Sequence, residues 1–268
     1  MSRNYNSVAY INGKGGCGKS TSIYHSAGVL AKRGKKTLVI DFDKQGNSTK
    51  TLLMENKEEI KFTAFDYITG ACEAREAVKK AYFCSRKNAY PKYYGVDVMP
   101  ADKRFKDETL LNLDTINVKE DFKKFVEEEG YEWVLVDMPP DKMKLNTICF
   151  QQIVDNVIVP FSSDFYSVDG YEDLMDTVNS ARAVNVDLKI LGIFLSRYME
   201  NCAVDISIKE TLEVFGDMFL DVQIPLMADL REAIMWGRPM SFYKVFSKSK
   251  AAYERLVDIM EQRIEELR

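Results

Sequence analysis

The sequence predicts an α/β fold, a doubly wound and mostly parallel sheet flanked by helices. Short apolar runs alternate with longer stretches of helical periodicity over nearly the whole chain. The runs themselves, as in TLVID, WVLVD and NVIVP, are almost continuously apolar, which is the composition of strands covered by helices on both faces.

In chain order, the run VAYIN predicts a first strand over Ser7–Asn12, and the pattern after it a helix over Ser20–Arg33. TLVID closes a second strand over Lys36–Asp41. The region from Ile60 to Tyr94 mixes helical and turn signals before a strand over Gly95–Met99, and we read it as a helical insertion at about 60–94 on the same domain. A helix over Val118–Glu129 ends at Gly130, a glycine stop, and leads into a strand over Glu132–Asp137. Strands follow over Asn156–Pro160, Ile190–Ser196 and Phe219–Ile224, with helices over Ser167–Val184, Asp205–Phe215 and Asp229–Met235. An amphipathic helix over Lys248–Leu267 completes the pattern. At 268 residues the chain lies within the range in which α/β chains fold around one core, so residues 1–268 are read as a single domain.

Composition excludes several classes. Hydrophobic residues make up 46% and charged residues 29%, a globular balance. With 37 basic and 41 acidic residues the net charge is -4, so any nucleic-acid contact must come from a local patch. No apolar run reaches the roughly 18 residues of a membrane span, and the N-terminus enters a strand with no signal-like segment, which reads as cytoplasmic. The cysteines Cys17, Cys72, Cys84, Cys149 and Cys202 are scattered without metal or disulfide spacing. His25, the one histidine, has no metal-ligand partner nearby in sequence and reads as packing.

The informative segment is Gly13-Lys14-Gly15-Gly16-Cys17-Gly18-Lys19-Ser20-Thr21, between the strand VAYIN and a helix. It satisfies G-x-x-x-x-G-K-[ST] in the strand–loop–helix setting that phosphate binding requires. Gly15, Gly16 and Gly18 let backbone N–H groups converge on phosphate oxygens at the positive end of the helix. Lys19 is suited to the β and γ phosphates, and the Ser20 hydroxyl to Mg²⁺. Cys17 lies at a helix N-terminus that could lower its pKa, which predicts sensitivity to oxidation or alkylation. No NKxD-type guanine box is present, so the expected nucleotide is ATP.

With its second lysine, GKGGCGKST resembles the deviant Walker A box of the ParA/MinD family, closest to the ParA-type (Soj-like) partition ATPases. KTLVIDFDKQGNST resembles that family's second strand and switch I, with Lys44 in place of the usual proline, and YEWVLVDMPPD its Walker B strand and switch II. The resemblance extends over nearly the whole chain, although only these three segments are specific. It implies that Lys14 reaches across a homodimer interface to the partner's nucleotide, as an arginine finger does. It further implies that Asp43 orients the attacking water, that Asp41 supports the magnesium shell and that Asp137 holds Mg²⁺ through water. In FLDVQIPLMADLREA it makes Pro225 a backbone contact to adenine. Taken alone, a DxD at a strand end reads equally as a cap or a turn.

The resemblance implies a slow, partner-stimulated ATPase: an ATP-sandwich homodimer that binds non-specific DNA and works with a ParB-like centromere-binding protein in plasmid or chromosome partitioning. The DNA expectation is weakened by SRYMENCAVD and IPLMADLREA, in which only Arg197 and Arg231 are basic, with Asn201 and Asp229 where the family's arginines are expected. Lys244, Lys248 and Lys250 are the candidates for rebuilding a patch. The terminal IMEQRIEELR is too acidic for the membrane helix of MinD relatives, so no membrane partner is expected. DMPPD lacks the cysteine of an iron–sulfur relative. Two other readings stay open: a scaffold of the same type that positions a protein cargo without DNA, and a metabolic P-loop enzyme.

Overall fold

The computed structural model describes residues 4–56, 58–85, 89–105, 117–140, 144–162 and 168–268. In chain order its elements are β1 (Asn6–Tyr10), α1 (Lys19–Lys32), β2 (Thr37–Asp41), α2 (Asn47–Leu52), α3 (Ala64–Ile68), β3 (Lys79–Phe83), β4 (Lys92–Met99), α4 (Lys119–Glu128) and β5 (Trp133–Asp137). There follow α5 (Lys144–Ile148), β6 (Asn156–Ser162), α6 (Val168–Val184), β7 (Lys189–Tyr198), α7 (Ala203–Leu212), β8 (Phe219–Pro225), α8 (Ala228–Met235), α9 (Met240–Tyr243) and α10 (Lys248–Glu266).

The strands form one eight-stranded sheet in the order β3-β4-β2-β5-β1-β6-β7-β8. Every pairing is parallel except β3 with β4. The apolar runs become central strands because both of their faces are covered. Alternate residues of β2 and β5, such as Leu38, Ile40, Val134 and Val136, pack beneath α3, α4, α5, α6 and α7. The intervening Val39 and Leu135 pack beneath α1, α8, α9 and α10. Fully burying each such side chain is worth about 1.5–3 kcal/mol, so a charge is tolerated only where the strand ends. Both β2 and β5 end on an aspartate, and Asp41 and Asp137 are register partners at that edge.

The segment expected as a helical insertion is different. It holds the five-residue α3, a 3-10 turn over Ala74–Ala77 and the edge strand β3, whose antiparallel pairing extends the sheet. Residues 86–88 of that segment, Ser167 at the predicted start of α6, and Asp141 of the YEWVLVDMPPD stretch lie outside the described residues. No helix among the described residues is long and apolar enough to cross a membrane.

Helix α1 joins the loop to the far end of the chain. Arg33 at its C-terminal end donates to Asp258 at 2.6 Å and Glu261 at 3.0 Å on α10. Inside that interface the Tyr10 hydroxyl donates to Ser26 Oγ at 3.0 Å. His25 is fully buried there, its ring 4.8 Å from that of Tyr253, and its Nδ1 accepts the Met240 N–H at 3.1 Å. It is therefore a packing residue, and burial pushes its pKa down to about 3 from the ordinary 6.5.

A folded histidine that stays neutral while its unfolded counterpart takes up a proton makes stability pH-dependent. The contribution is intact above about pH 6.5 and is lost as pH falls towards the folded value, by about 2 kcal/mol at about pH 5. A His25→Asn protein, whose amide oxygen can still accept from Met240, is expected to lose correspondingly less stability between those pH values in urea titrations. Parallel loss in the two proteins would mean that other groups set the acid sensitivity.

Candidate phosphate-binding site

The loop between β1 and α1 is shaped by its glycines and held by its own side chains. Gly18, the residue preceding α1, has φ 89, a left-handed conformation that an L side chain rarely adopts. No side chain caps this end of α1 and its first turn carries no acidic residue, so its N–H groups and positive helix end are available to an anion. Asn12 braces the loop's entry, donating from Nδ2 to Pro160 O at 2.8 Å and accepting the Lys14 N–H at 2.9 Å. At the other side Ser196 Oγ donates to Cys17 O at 2.6 Å. The Lys19 ammonium lies across the loop, donating to Asn12 O at 3.0 Å and Lys14 O at 3.1 Å. It is a cation fixed by carbonyls that phosphate oxygens can replace.

The loop opens on a cleft of about 430 Å³. Gly15, Gly16, Gly18, Lys19, Ser20 and Thr21 form its phosphate end, together with Asp43. Ile224, Pro225, Leu226, Leu230 and Ile234 form an apolar wall at the other end, completed by Tyr253 of α10. Pro225 thus lies where a flat base could rest. Gly13, Lys14 and Cys17 do not line the cleft. Asp41 and Asp137 lie deeper, and both are fully buried.

These carboxylates have different surroundings. Asp137 Oδ2 accepts the Ser48 hydroxyl at 2.7 Å, while Oδ1 is buried with no hydrogen-bond partner among the described residues. Burial pushes the carboxyl up to about 6, against the pull of Ser20, Ser48 and Lys19. An orphaned oxygen beside the Ser20 hydroxyl fits a hydrated Mg²⁺, which keeps most of its waters and takes few protein ligands. Asp43, nearly buried, accepts the Gln45 N–H at 2.9 Å and borders the cleft.

Asp41 departs from the magnesium-shell expectation. Its Oδ2 accepts both the N–H and the hydroxyl of Thr49, at 2.7 and 2.8 Å, and its Oδ1 accepts the Asp43 N–H at 3.1 Å. The carboxylate is thus used in tying the 43–49 loop to the sheet, the capping role that a DxD also allows. Its carboxyl is raised by burial and then by Asp137 beside it. Cys17 is a second correction. Its thiol is 1% exposed and donates to Lys14 O, and burial pushes its pKa up more than Lys19 pulls it down, the opposite of an activated cysteine.

Several residues of the site went unseen in the sequence. Ser196 lay in the strand LGIFLSRY with nothing to mark it, and Arg197 beside it was read only as part of a DNA patch. Arg197 is the one non-glycine residue with positive φ among the described residues, at 59, and lines the cleft with NH1 3.5 Å from Gly16 O. Arg231 lines the cleft too. Both residues read as remnants of a basic patch therefore border the nucleotide-sized cavity. Asp229 is buried and accepts the hydroxyls of Ser247 and Ser249 at 2.8 and 2.9 Å, pinning α8 to the start of α10.

Residues 5–190 match a family model described as an AAA domain. The chain is 29% identical over 255 residues to the chromosome partitioning protein ParA of Caulobacter vibrioides, covering 93% of this chain and 91% of that protein. Among solved structures, a plasmid partition protein from Borrelia burgdorferi bound to AMPPNP superposes with a TM-score of 0.74 at 20% identity, over 97% of this chain and 99% of that one. Cobyrinic acid a,c-diamide synthase from Mycobacterium smegmatis, with an ATP analogue and magnesium, gives 0.74 at 19% identity over 98% and 97%.

Proposed function

Because the chain belongs to the AAA-domain family whose model covers most of it, and within that family to the ParA/MinD type, we propose that it is an ATP-dependent switch ATPase of the partition class. It binds ATP with Mg²⁺ in the loop cleft, pairs as a homodimer and hydrolyses slowly until a ParB-like partner stimulates it. One observation carries this reading: the loop amides, Lys19, Ser20 and Asp43 border one cleft with the buried Asp137 behind it, while Lys14 stands off that cleft. Bound magnesium would neutralise phosphate charge, with Ser20 as a direct ligand and Asp137 acting through water. Asp43 is the residue placed to orient water, and the ring of Tyr253 with Pro225 and Leu230 offers adenine an apolar seat. DNA is the proposed track, and the Caulobacter relative is named for chromosome partitioning.

A second reading, positioning of a protein cargo without DNA, is favoured by the surface charges. Each lysine that could rebuild a DNA patch has an acidic neighbour: Lys244 lies 3.7 Å from Asp229, Lys248 2.8 Å from Glu200 and Lys250 3.5 Å from Glu254. Phosphates must compete with those carboxylates, and DNA affinity follows the number of phosphates neutralised. The deciding measurement is fluorescence anisotropy of a random-sequence duplex with the Asp43→Ala protein, ATP and Mg²⁺ across a salt series. Partitioning on DNA predicts ATP-dependent binding that weakens steeply with salt. A dimer confirmed by light scattering that ignores the duplex at low salt would transfer the function to protein cargo.

A further inference from the structure

At the opposite end of the sheet from the nucleotide cleft lies a second cavity, of about 680 Å³, bordered by the starts of β2 and β4, the 3-10 turn at Ala74–Ala77 and the end of α4. It lies where β3 and β4 pair irregularly. Their register shifts between Lys80 and Tyr82, and Gly95, with φ 80, lies in the bulged stretch of β4 opposite. Bulges of this kind re-aim side chains, and here Tyr93 and Asp97 meet across one turn of the distorted strand.

Asp97 lines the cavity and is 4% exposed. Its Oδ2 accepts two phenols, Tyr131 at 2.8 Å and Tyr93 at 2.9 Å, but its Oδ1 has no hydrogen-bond partner among the described residues. Lys80 is its register partner across the strands, so the two side chains share a face. They do not form an ion pair. The Lys80 ammonium lies 5.2 Å from the centroid of the Tyr93 ring and has no carboxylate within salt-bridge distance among the described residues. The other cations at the cavity have acidic partners: Arg75 lies 2.7 Å from Glu129 and 3.9 Å from Glu128, and Lys36 lies 3.6 Å from Glu129. What remains is one buried carboxylate oxygen without a donor, one exposed ammonium with no carboxylate in salt-bridge contact among the described residues, and aromatic walls from Tyr131 and Phe125.

We propose that this cavity binds a small zwitterion, an α-amino acid with an aromatic or branched apolar side chain, whose ammonium bonds Asp97 Oδ1 and whose carboxylate meets Lys80. The tyrosine phenols hold the carboxylate of Asp97 in place, and aromatic faces beside an ammonium add to its attraction. The side chain of the amino acid lies against Phe125 and Val78. Burial raises the Asp97 carboxyl despite its two phenol bonds, so a cationic group at Oδ1 relieves an existing penalty.

The test is isothermal titration calorimetry of the full chain with L-phenylalanine and with L-leucine, beside two half-ligands, phenethylamine and 3-phenylpropionate. At least one amino acid is expected to bind, and each half-ligand at least about tenfold more weakly than L-phenylalanine if that is the binder. Lys80→Met, on an exposed side chain, and Asp97→Asn, which keeps the shape and can still accept from the phenols, are each expected to weaken binding at least about tenfold. ATP affinity in both variants should be unchanged, which separates a lost site from a lost fold. Absence of binding by both amino acids overturns the proposal, as does equal binding by wild type and the Lys80→Met protein.

Discussion

A Lys14→Ala protein is expected to bind ATP as tightly as wild type and to lose turnover on the order of 10³-fold, the scale of a cation supplied across a subunit interface. The main chain and the side chain of Lys14 are placed differently. Its main chain belongs to the loop: the N–H is held by Asn12, and the carbonyl accepts from Lys19 and Cys17. Alanine keeps all of that. Its side chain starts from a position that does not line the cleft of its own protomer, so removing the ammonium should leave the phosphate grip intact. Nucleotide affinity by calorimetry and steady-state phosphate release at saturating partner would check both halves. If affinity falls with turnover, Lys14 acts on its own nucleotide; if neither changes, the cross-subunit role is wrong.

Replacing Asp41 by alanine should have the largest effect on the fold near the site. Three hydrogen bonds from two segments end on this fully buried carboxylate, and its loss leaves the N–H groups of Asp43 and Thr49 buried without an acceptor. A loss of about 2–4 kcal/mol in urea unfolding is expected, at about 1–3 kcal/mol for each buried donor left unsatisfied and partly offset by relief of the repulsion from Asp137. Asp41→Asn should recover part of it, since one amide oxygen can still accept from Thr49. The same substitution would release the 43–49 loop, so ATP turnover should fall even where the protein remains folded. A small stability change, below about 1 kcal/mol, would contradict the anchoring role.

The contrast between Asp41 and Asp43 shows what could be read in the sequence. Their position after a buried strand located the edge of the sheet, because an aspartate inside TLVI would be intolerable and one at its end is not. Which of the pair faces the cleft depends on Thr49 folding back onto Asp41, and nothing in KQGNST announces that return. The central strands were legible because burial on both faces makes them uniformly apolar. Strand β3 was not, since KKAYF is an edge strand whose adjacent lysines and short length look like part of a helix. The phosphate loop was legible as a local pattern, whereas Ser196 and Tyr253 reach it only through contacts across most of the chain. Asp229 is a further case: in sequence it looked like a lost DNA contact, and in the structure it holds Ser247 and Ser249 at the start of α10.

Tyr253 also gives the protein a birth order. Its hydroxyl meets Ser22 of α1 at 3.5 Å across 231 residues of chain, and its side chain completes the wall of the cleft. On the ribosome the glycine-rich loop emerges long before the residues of α10. A nascent chain halted before them would have the loop without the wall, and an α1 whose Tyr10, Ile23 and Leu30 neighbours still face solvent. The wall of the cleft is therefore finished only once α10 has been made, long after the loop it faces.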